Sequence, residues 1–167
     1  MSWSKWIVAG LIILTLTQCG LYSFNGVSIP ADVQTVSVGY IENHASLVAP
    51  ELSPTLTDKL RQKFLTQTNL QLIDASGDFD ITAEVTGYSV NIVGAQDNSS
   101  AAVNRLQISV KAKMKCPKSP KLEFDQTFTQ FEDFDANKSL TDVESDLIQS
   151  ISDNIVQEIF NKATLNW

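Results

Sequence analysis

Two spacings of hydrophobic residues run along the chain, and the longer spacing predicts two helices. After Ser53, apolar side chains recur about every four residues, which is the period of an amphipathic helix. This first apolar stripe consists of Leu56, Leu60 and Phe64. A second stripe runs from Val143 to Phe160, and it follows Thr141–Glu144, whose residue types match a capping box. We therefore expect Ser53 to cap the first helix and Thr141 to cap the second.

The shorter spacing, apolar residues at every second position, predicts strands, because strand side chains alternate between two faces. A long strand begins at Phe79, and its apolar phase changes between Val85 and Tyr88. A strand with period two needs an extra residue for such a change, so a β-bulge is predicted at Gly87. The other strands are expected within residues 33–41, 103–116 and 122–131, with a short extended segment at 70–73.

These elements give the order β-α-β-β-β-α and predict an α+β fold. Two helices with one apolar stripe each should cover one face of a mostly antiparallel, four-stranded sheet, which makes a two-layer sandwich. The chain has 167 residues and is 43% hydrophobic, so one domain can bury a sufficient core without a disulfide or a metal. No repeat or second domain is evident, and residues 33–167 are predicted to form a single domain.

The first 18 residues have the layout of a signal peptide. Lys5 precedes an apolar run of 11 residues that ends at Leu16, which is too short to span a membrane. Cys19 follows, where a bacterial lipoprotein is lipidated and cleaved, although Gln18 occupies a position that is usually small. We therefore predict lipidation of Cys19 and a tether over residues 19–32. The alternatives are an uncleaved anchor and a conventionally cleaved secreted protein.

Basic residues are concentrated in one part of an acidic chain. The formal net charge of −7 argues against nucleic-acid binding, yet half of the 12 basic residues lie between positions 105 and 121. Four of them share one strand parity, so they should point away from the helices. These are Arg105, Lys111, Lys113 and Lys115.

Two interpretations of this basic stripe stay open. The stripe could bind an anionic head group or a phosphorylated glycolipid. Alternatively, a hairpin that closes at residues 117–120 would place Lys113 opposite Glu123 and Lys111 opposite Asp125, as a ladder of ion pairs. That register leaves Arg105 without an obvious partner.

Catalytic and metal-binding groups are scarce. The chain has one His and two Cys, which excludes most His/Cys metal sites and Cys–His catalytic pairs. A spacing that resembles a calcium loop begins at Asp133, but Lys138 stands where such a loop needs Gly. We therefore expect no enzyme, no metal and no cofactor.

Three segments, together with the element order between them, resemble the LptE family of lipopolysaccharide-assembly lipoproteins, in a divergent branch. The segments are Cys19–Pro30, Phe131–Asp135 and Phe160–Trp167. The resemblance extends over essentially the whole chain that follows the signal peptide. It implies a lipid-anchored protein of the Gram-negative outer membrane that faces the periplasm. LptE-like proteins bind the LptD β-barrel, plug its lumen, assist its assembly and contact lipopolysaccharide.

Of the family's functional residues, only Cys19 carries over to this sequence. The four cations of the basic stripe are our candidates for lipopolysaccharide contact. The polar loop at residues 94–102 would suit a tip that enters a barrel, and its candidate contacts are Asp97, Asn98, Ser99 and Ser100. The alternative function is a lipid-anchored periplasmic adaptor of another outer-membrane channel or surface-lipoprotein complex.

Overall fold

The structure is a computed structural model, and it describes residues 29–47, 49–93 and 103–165. The predicted lipidation site Cys19 and the candidate loop residues Asp97, Asn98, Ser99 and Ser100 lie outside these residues.

Within this part of the chain, six strands and two helices form a two-layer α+β sandwich, as predicted. The strands are β1 (Thr35–Val38), β2 (Glu42–Asn43), β3 (Gln71–Leu72), β4 (Phe79–Val93), β5 (Val103–Lys115) and β6 (Phe124–Asp135). The helices are α1 (Leu52–Gln67) and α2 (Leu140–Thr164), and a short 3-10 helix spans Pro120–Leu122.

The sheet is mixed, whereas the sequence predicted a mostly antiparallel sheet of four strands. Its order is β3-β1-β4-β5-β6, and β2 pairs with β4 beyond the end of β1. The strands β4, β5 and β6 are antiparallel, but β1 is parallel to both β3 and β4. The parallel part arises because α1 carries the chain back along the sheet between β1 and β3, as a crossover helix does.

The core lies between the two helices and one face of the sheet. On β5 the side chains that face the helices are buried, and these are Leu106, Ile108, Val110, Ala112 and Met114. Leu60 and Phe64 of α1 are also buried, and the Phe64 ring meets the edge of Phe160 from α2 with centroids 5.1 Å apart. Burial of each Leu, Ile, Val, Met or Phe side chain among these stabilises the fold by about 1.5–3 kcal/mol relative to exposure. In the described residues, neither helix has the length and apolarity needed to cross a membrane.

The helices begin at different residues from those predicted. The N-cap of α1 is Glu51, and Ser53 lies inside the first turn, where its carbonyl accepts a hydrogen bond from the Thr57 hydroxyl at 2.8 Å. The N-cap of α2 is Ser139, and neither cap makes a side-chain hydrogen bond. The expected capping box at Thr141 does not form, because α2 begins at Leu140 and Thr141 already lies inside its first turn. Glu144 accepts a hydrogen bond from the Tyr88 hydroxyl.

The predicted bulge in β4 is confirmed, since the register with β5 shifts between Val85 and Gly87. After the bulge, Tyr88 is buried, but Val90 is 37% exposed and Ile92 is 78% exposed on the face that the helices cover elsewhere. The helices therefore do not extend over this end of the hairpin. We call the end from residue 90 to Val93 the tip, and the opposite end of β4 near Phe79 the base.

Candidate functional site

The face of the sheet opposite the helices is open to solvent, and it carries the four cations of the basic stripe. Because β5 is continuous from Val103 to Lys115, side chains at odd positions all reach this open face. Arg105 lies near the tip, and the lysines lie nearer the base. The strand parity derived from the sequence therefore places these residues together, as predicted.

The lysines at the base end make few ion pairs, although Asp80, Glu84 and Asp125 lie directly opposite them on the neighbouring strands. The Lys111 ammonium lies 3.6 Å and the Lys113 ammonium 3.9 Å from the same Asp125 carboxylate. Lys115 faces Asp80 of β4, but Asp80 accepts hydrogen bonds from Ser37 at 2.7 Å and Ser76 at 3.3 Å. Within the described residues, Lys115 has no ion pair.

The ion-pair ladder exists, but its predicted register is wrong by two residues. Lys113 lies opposite Asp125 and Lys111 opposite Thr127, whereas the sequence predicted Glu123 and Asp125 as their partners. The connection is longer than a tight turn, because the 3-10 helix at Pro120–Leu122 lies between the strands. Glu123 consequently precedes β6, and its carboxylate accepts a hydrogen bond from the Cys116 amide at 3.0 Å.

Arg105 has a close partner, contrary to the prediction that it would lack one. Its guanidinium donates two hydrogen bonds to the Asp133 carboxylate, at 2.6 and 2.9 Å, and lies 3.8 Å from the centroid of the Phe131 ring. The hydrogen bonds raise the pKa of Arg105 and lower the pKa of Asp133. An anion at Arg105 would therefore have to compete with a bidentate carboxylate.

A shallow cleft of about 360 Å³ opens beside the lysines on the same face. His44 lies in it between two carboxylates, 3.0 Å from Glu42 and 3.3 Å from Glu84. Tyr40 also lines the cleft and is 59% exposed; it lies two residues beyond the end of β1 at Val38. The sequence signal for this cleft was weak, since its residues come from four separate segments.

Lys118, another residue of the basic segment, holds the base together. Its ammonium lies 2.7 Å from the Asp78 carboxylate and donates to the Asp32 carbonyl at 2.6 Å. Asp78 also accepts hydrogen bonds from the amides of Gln34 and Thr35 at 2.9 and 3.1 Å. Lys118 first, and then the Gln34 amide, hold the pKa of Asp78 well below its usual range. The Lys118 ammonium is therefore occupied by contacts that stabilise the fold.

The described residues contain no group of three metal-binding side chains. Two acidic residues of the calcium-like spacing are engaged elsewhere, since Asp133 binds Arg105 and Asp135 accepts from the Asn137 side chain. Burial raises the pKa of the Cys116 thiol, which disfavours the reactive thiolate. The geometry thus defines an α+β domain with an open, charged sheet face.

Comparison with protein families identifies this domain. The family model described as LptE, lipopolysaccharide-assembly, matches residues 33–163. The chain therefore belongs to the LptE family, whose members are non-enzymatic proteins of lipopolysaccharide assembly in the cell envelope. No curated protein sequence matches the chain.

Solved structures share the fold at low sequence identity. A minor lipoprotein from Acinetobacter baumannii is 14% identical, with a TM-score of 0.54, covering 78% of this chain and 91% of that one. A protein from Helicobacter pylori, described as a homolog of a neuraminyllactose-binding hemagglutinin, is 13% identical with a TM-score of 0.54. That match covers 86% of this chain and 90% of the other. A hypothetical protein from Chlamydia trachomatis is 8% identical with a TM-score of 0.50, covering 80% and 99%.

Proposed function

We propose that the chain is a lipoprotein that binds and plugs an LptD-type outer-membrane β-barrel and assists lipopolysaccharide insertion into the outer leaflet. In this proposal, residues 1–18 are removed as a signal peptide and acyl chains on Cys19 anchor the protein. Residues 19–32 form the tether, and the domain from residue 33 onward faces the periplasm. The observation that carries the proposal is the family match over residues 33–163, joined to the position of Cys19.

The tip of the β4–β5 hairpin is the proposed barrel contact. Val90 and Ile92 are exposed on a face that is otherwise covered by helices, and they lead into the loop at residues 94–102. Adjacent exposed apolar side chains favour a protein contact over free solvation. Within the loop, the proposed contacts are Asp97, Asn98, Ser99 and Ser100.

The basic stripe is the proposed lipopolysaccharide contact, with the lysines at the base end contributing more than Arg105. Lys111 and Lys113 share one carboxylate, and no ion pair engages Lys115 in the described residues. Phosphate groups would therefore meet ammonium groups that are incompletely neutralised. Arg105 would first have to leave Asp133.

Charge reversal tests the lipopolysaccharide contact. The double variant Lys111→Glu, Lys115→Glu is expected to bind purified lipopolysaccharide at least tenfold more weakly than the wild type. The matched control is Lys138→Glu, Lys162→Glu, which changes the net charge equally at exposed sites away from the open face. Equal binding by the two double variants would refute a specific contact at the stripe.

Isolation of the lipidated protein from cross-linked, detergent-solubilised membranes tests the partner. We expect a stoichiometric LptD-like barrel, and a reduced yield when residues 97–100 are deleted. A different channel would favour the alternative function, a lipid-anchored adaptor. The anchor is tested separately by Cys19→Ala, which should abolish palmitate labelling and membrane retention.

A further inference from the structure

The cleft beside Tyr40 on the open face holds charges of both signs, arranged in two groups. Glu42 and Glu84 from β2 and β4 lie on one side, and Lys111 and Lys113 from β5 lie on the other. The volume of about 360 Å³ is near the lower end of the range for small-molecule sites. The cleft therefore has room for a small polar group rather than for a whole lipid.

The acidic side of the cleft brings two like charges together. Strand β2 runs parallel to β4, and their register places Glu42 directly beside Glu84. Like charges in such positions destabilise a sheet unless a cation joins them. The imidazole of His44 lies between the two carboxylates, 3.0 Å from Oε2 of Glu42 and 3.3 Å from Oε2 of Glu84. One imidazole cannot balance two carboxylates, and among the described residues both Oε1 atoms remain without a hydrogen bond.

The basic side has the opposite imbalance. Lys111 and Lys113 share the Asp125 carboxylate, at 3.6 and 3.9 Å, and all three side chains are about half exposed. Lys111 also lies opposite Glu84 in the register of β4 with β5. In the part of the chain that the structure describes, however, no ion pair joins either lysine to Glu42 or Glu84. One carboxylate cannot balance two ammonium groups, so this side keeps a positive charge.

The two residual charges select the ligand. A purely anionic ligand would be repelled by the glutamates, and a purely cationic ligand would be repelled by the lysines, whereas a group that carries both charges satisfies both sides. Two neighbouring ammonium groups suit the several oxygens of a phosphate. Two carboxylates beside the exposed Tyr40 ring suit a primary ammonium. Displacement of the Asp125 carboxylate costs little, because exposed ion pairs are weak.

We infer that the cleft binds a phosphoethanolamine group, with its phosphate at Lys111 and Lys113 and its ammonium against Glu42 and Glu84. Zwitterionic phospholipids carry this group, and so do glycolipids that are substituted with phosphoethanolamine. The inference rests on the proposed function for the two lysines, which belong to the proposed lipopolysaccharide contact. It deepens that function, because it assigns the amine of the ligand to two glutamates outside the basic stripe.

Saturation-transfer NMR on the full lipidated chain in a non-ionic detergent tests the inference with soluble headgroups. The probe is glycerophosphoethanolamine. The control ligands are glycerophosphoglycerol, which lacks the amine, and β-alanine, which has a carboxylate in place of the phosphate. We expect the probe to bind at least about fivefold more tightly than either control. Equal binding of the probe and either control would overturn the inference.

Removal of the acidic side separates this site from the basic stripe. The double variant Glu42→Gln, Glu84→Gln should bind glycerophosphoethanolamine at least about fivefold more weakly, because a neutral amide does not attract an ammonium as a carboxylate does. The matched control is Asp58→Asn, Asp146→Asn, which removes two exposed carboxylates from the helical layer. Equal binding by the two double variants would overturn the inference. Lipopolysaccharide without phosphoethanolamine should still bind the glutamine variant, so failure of this inference and failure of the lysine contact give different results.

Displacement of the soluble probe identifies the source of the group. Displacement by phosphatidylethanolamine in mixed micelles would support the inference and assign the cleft to a phospholipid headgroup. Displacement only by lipopolysaccharide that carries phosphoethanolamine would support it and assign the cleft to a substituted glycolipid. Displacement by neither would overturn the inference.

Discussion

The base and the tip of β4 belong to one strand, yet their side chains have different surroundings. Ile81 near the base is 1% exposed and lies opposite Met114, whereas Ile92 at the tip is 78% exposed and lies opposite Asn104. The same residue type, on the same inward side of the strand, is therefore core at one end and surface at the other. The comparison teaches that coverage by the helices, rather than strand patterning, separates the part that maintains the fold from the part available for contacts.

Truncation at the base should produce the largest effect. Ile81→Ala is expected to lower the free energy of unfolding by about 2–5 kcal/mol, because it leaves a cavity in the core. Denaturant unfolding of the domain from residue 29 onward measures this loss. A loss below about 1 kcal/mol would show that the base is not packed as described.

The next largest loss of stability is expected at Gly77 in the base, where backbone atoms of neighbouring residues come very close. A Cβ added at Gly77 would lie 2.8 Å from the Ser37 amide nitrogen and 2.9 Å from the Phe79 carbonyl oxygen. Gly77→Ala should therefore cost about 1–3 kcal/mol as strands shift to relieve the overlap. Gly39→Ala is the matched control, since its nearest neighbour would be 3.6 Å away. Equal stability of the two variants would contradict the close approach.

The ionic contacts of the two ends should differ in their dependence on pH. The folded-state pKa of Asp78 lies below its unfolded value, so its carboxylate stabilises the fold above about pH 4. That contribution is lost as the pH falls from there toward the folded pKa. The difference in melting temperature between the wild type and Asp78→Asn should therefore shrink between pH 7 and pH 3.

Asp133 at the tip has a pKa lowered in the same direction, but its side chain is 39% exposed compared with 18% for Asp78. Asp133→Asn should consequently produce a smaller difference in melting temperature, because solvent screens the exposed pair. A larger effect for Asp133→Asn than for Asp78→Asn at pH 7 would reverse the comparison between base and tip.

The smallest expected change in stability comes from the tip. Ile92→Ala should alter the free energy of unfolding by no more than about 0.5 kcal/mol, since the side chain is already exposed. If the tip contacts a barrel as proposed, the same variant should lower the yield of the barrel complex. Normal yield of the complex, measured at equal protein levels, would exclude Ile92 from that contact.

Features that depend on neighbouring residues in the sequence could be predicted, and features that depend on pairing between distant segments could not. The bulge at Gly87 was predictable because the apolar phase changes within three residues on either side of it. The common face of Arg105 and the lysines followed from strand parity alone. The partner of Arg105 was missed because Asp133 lies 28 residues away, and only the register of β5 with β6 brings them together.

The register of β5 with β6 could not be predicted, because it depends on the conformation of the connection before β6. The pattern Pro117–Pro120 resembles a tight turn, but Pro120–Leu122 forms a 3-10 helix, and this additional length moves every cross-strand pair by two residues. The start of α2 was also misjudged. Thr141–Glu144 matches a capping box locally, but the N-cap is Ser139, so Thr141 lies inside the helix and Glu144 is left to accept a hydrogen bond from Tyr88, which is distant in sequence.

The length of β4 also sets a distance between the anchor and the tip. The chain enters the domain at the base, where Lys118 holds Asp32, and the 15 residues of β4 place the tip about 48 Å away. The 13 residues from Cys19 to Asp32 can span at most about 45 Å. The longest possible tether is therefore no longer than the hairpin. With Cys19 acylated as proposed, a tip directed toward the membrane would reach the anchoring leaflet even when the tether is fully extended.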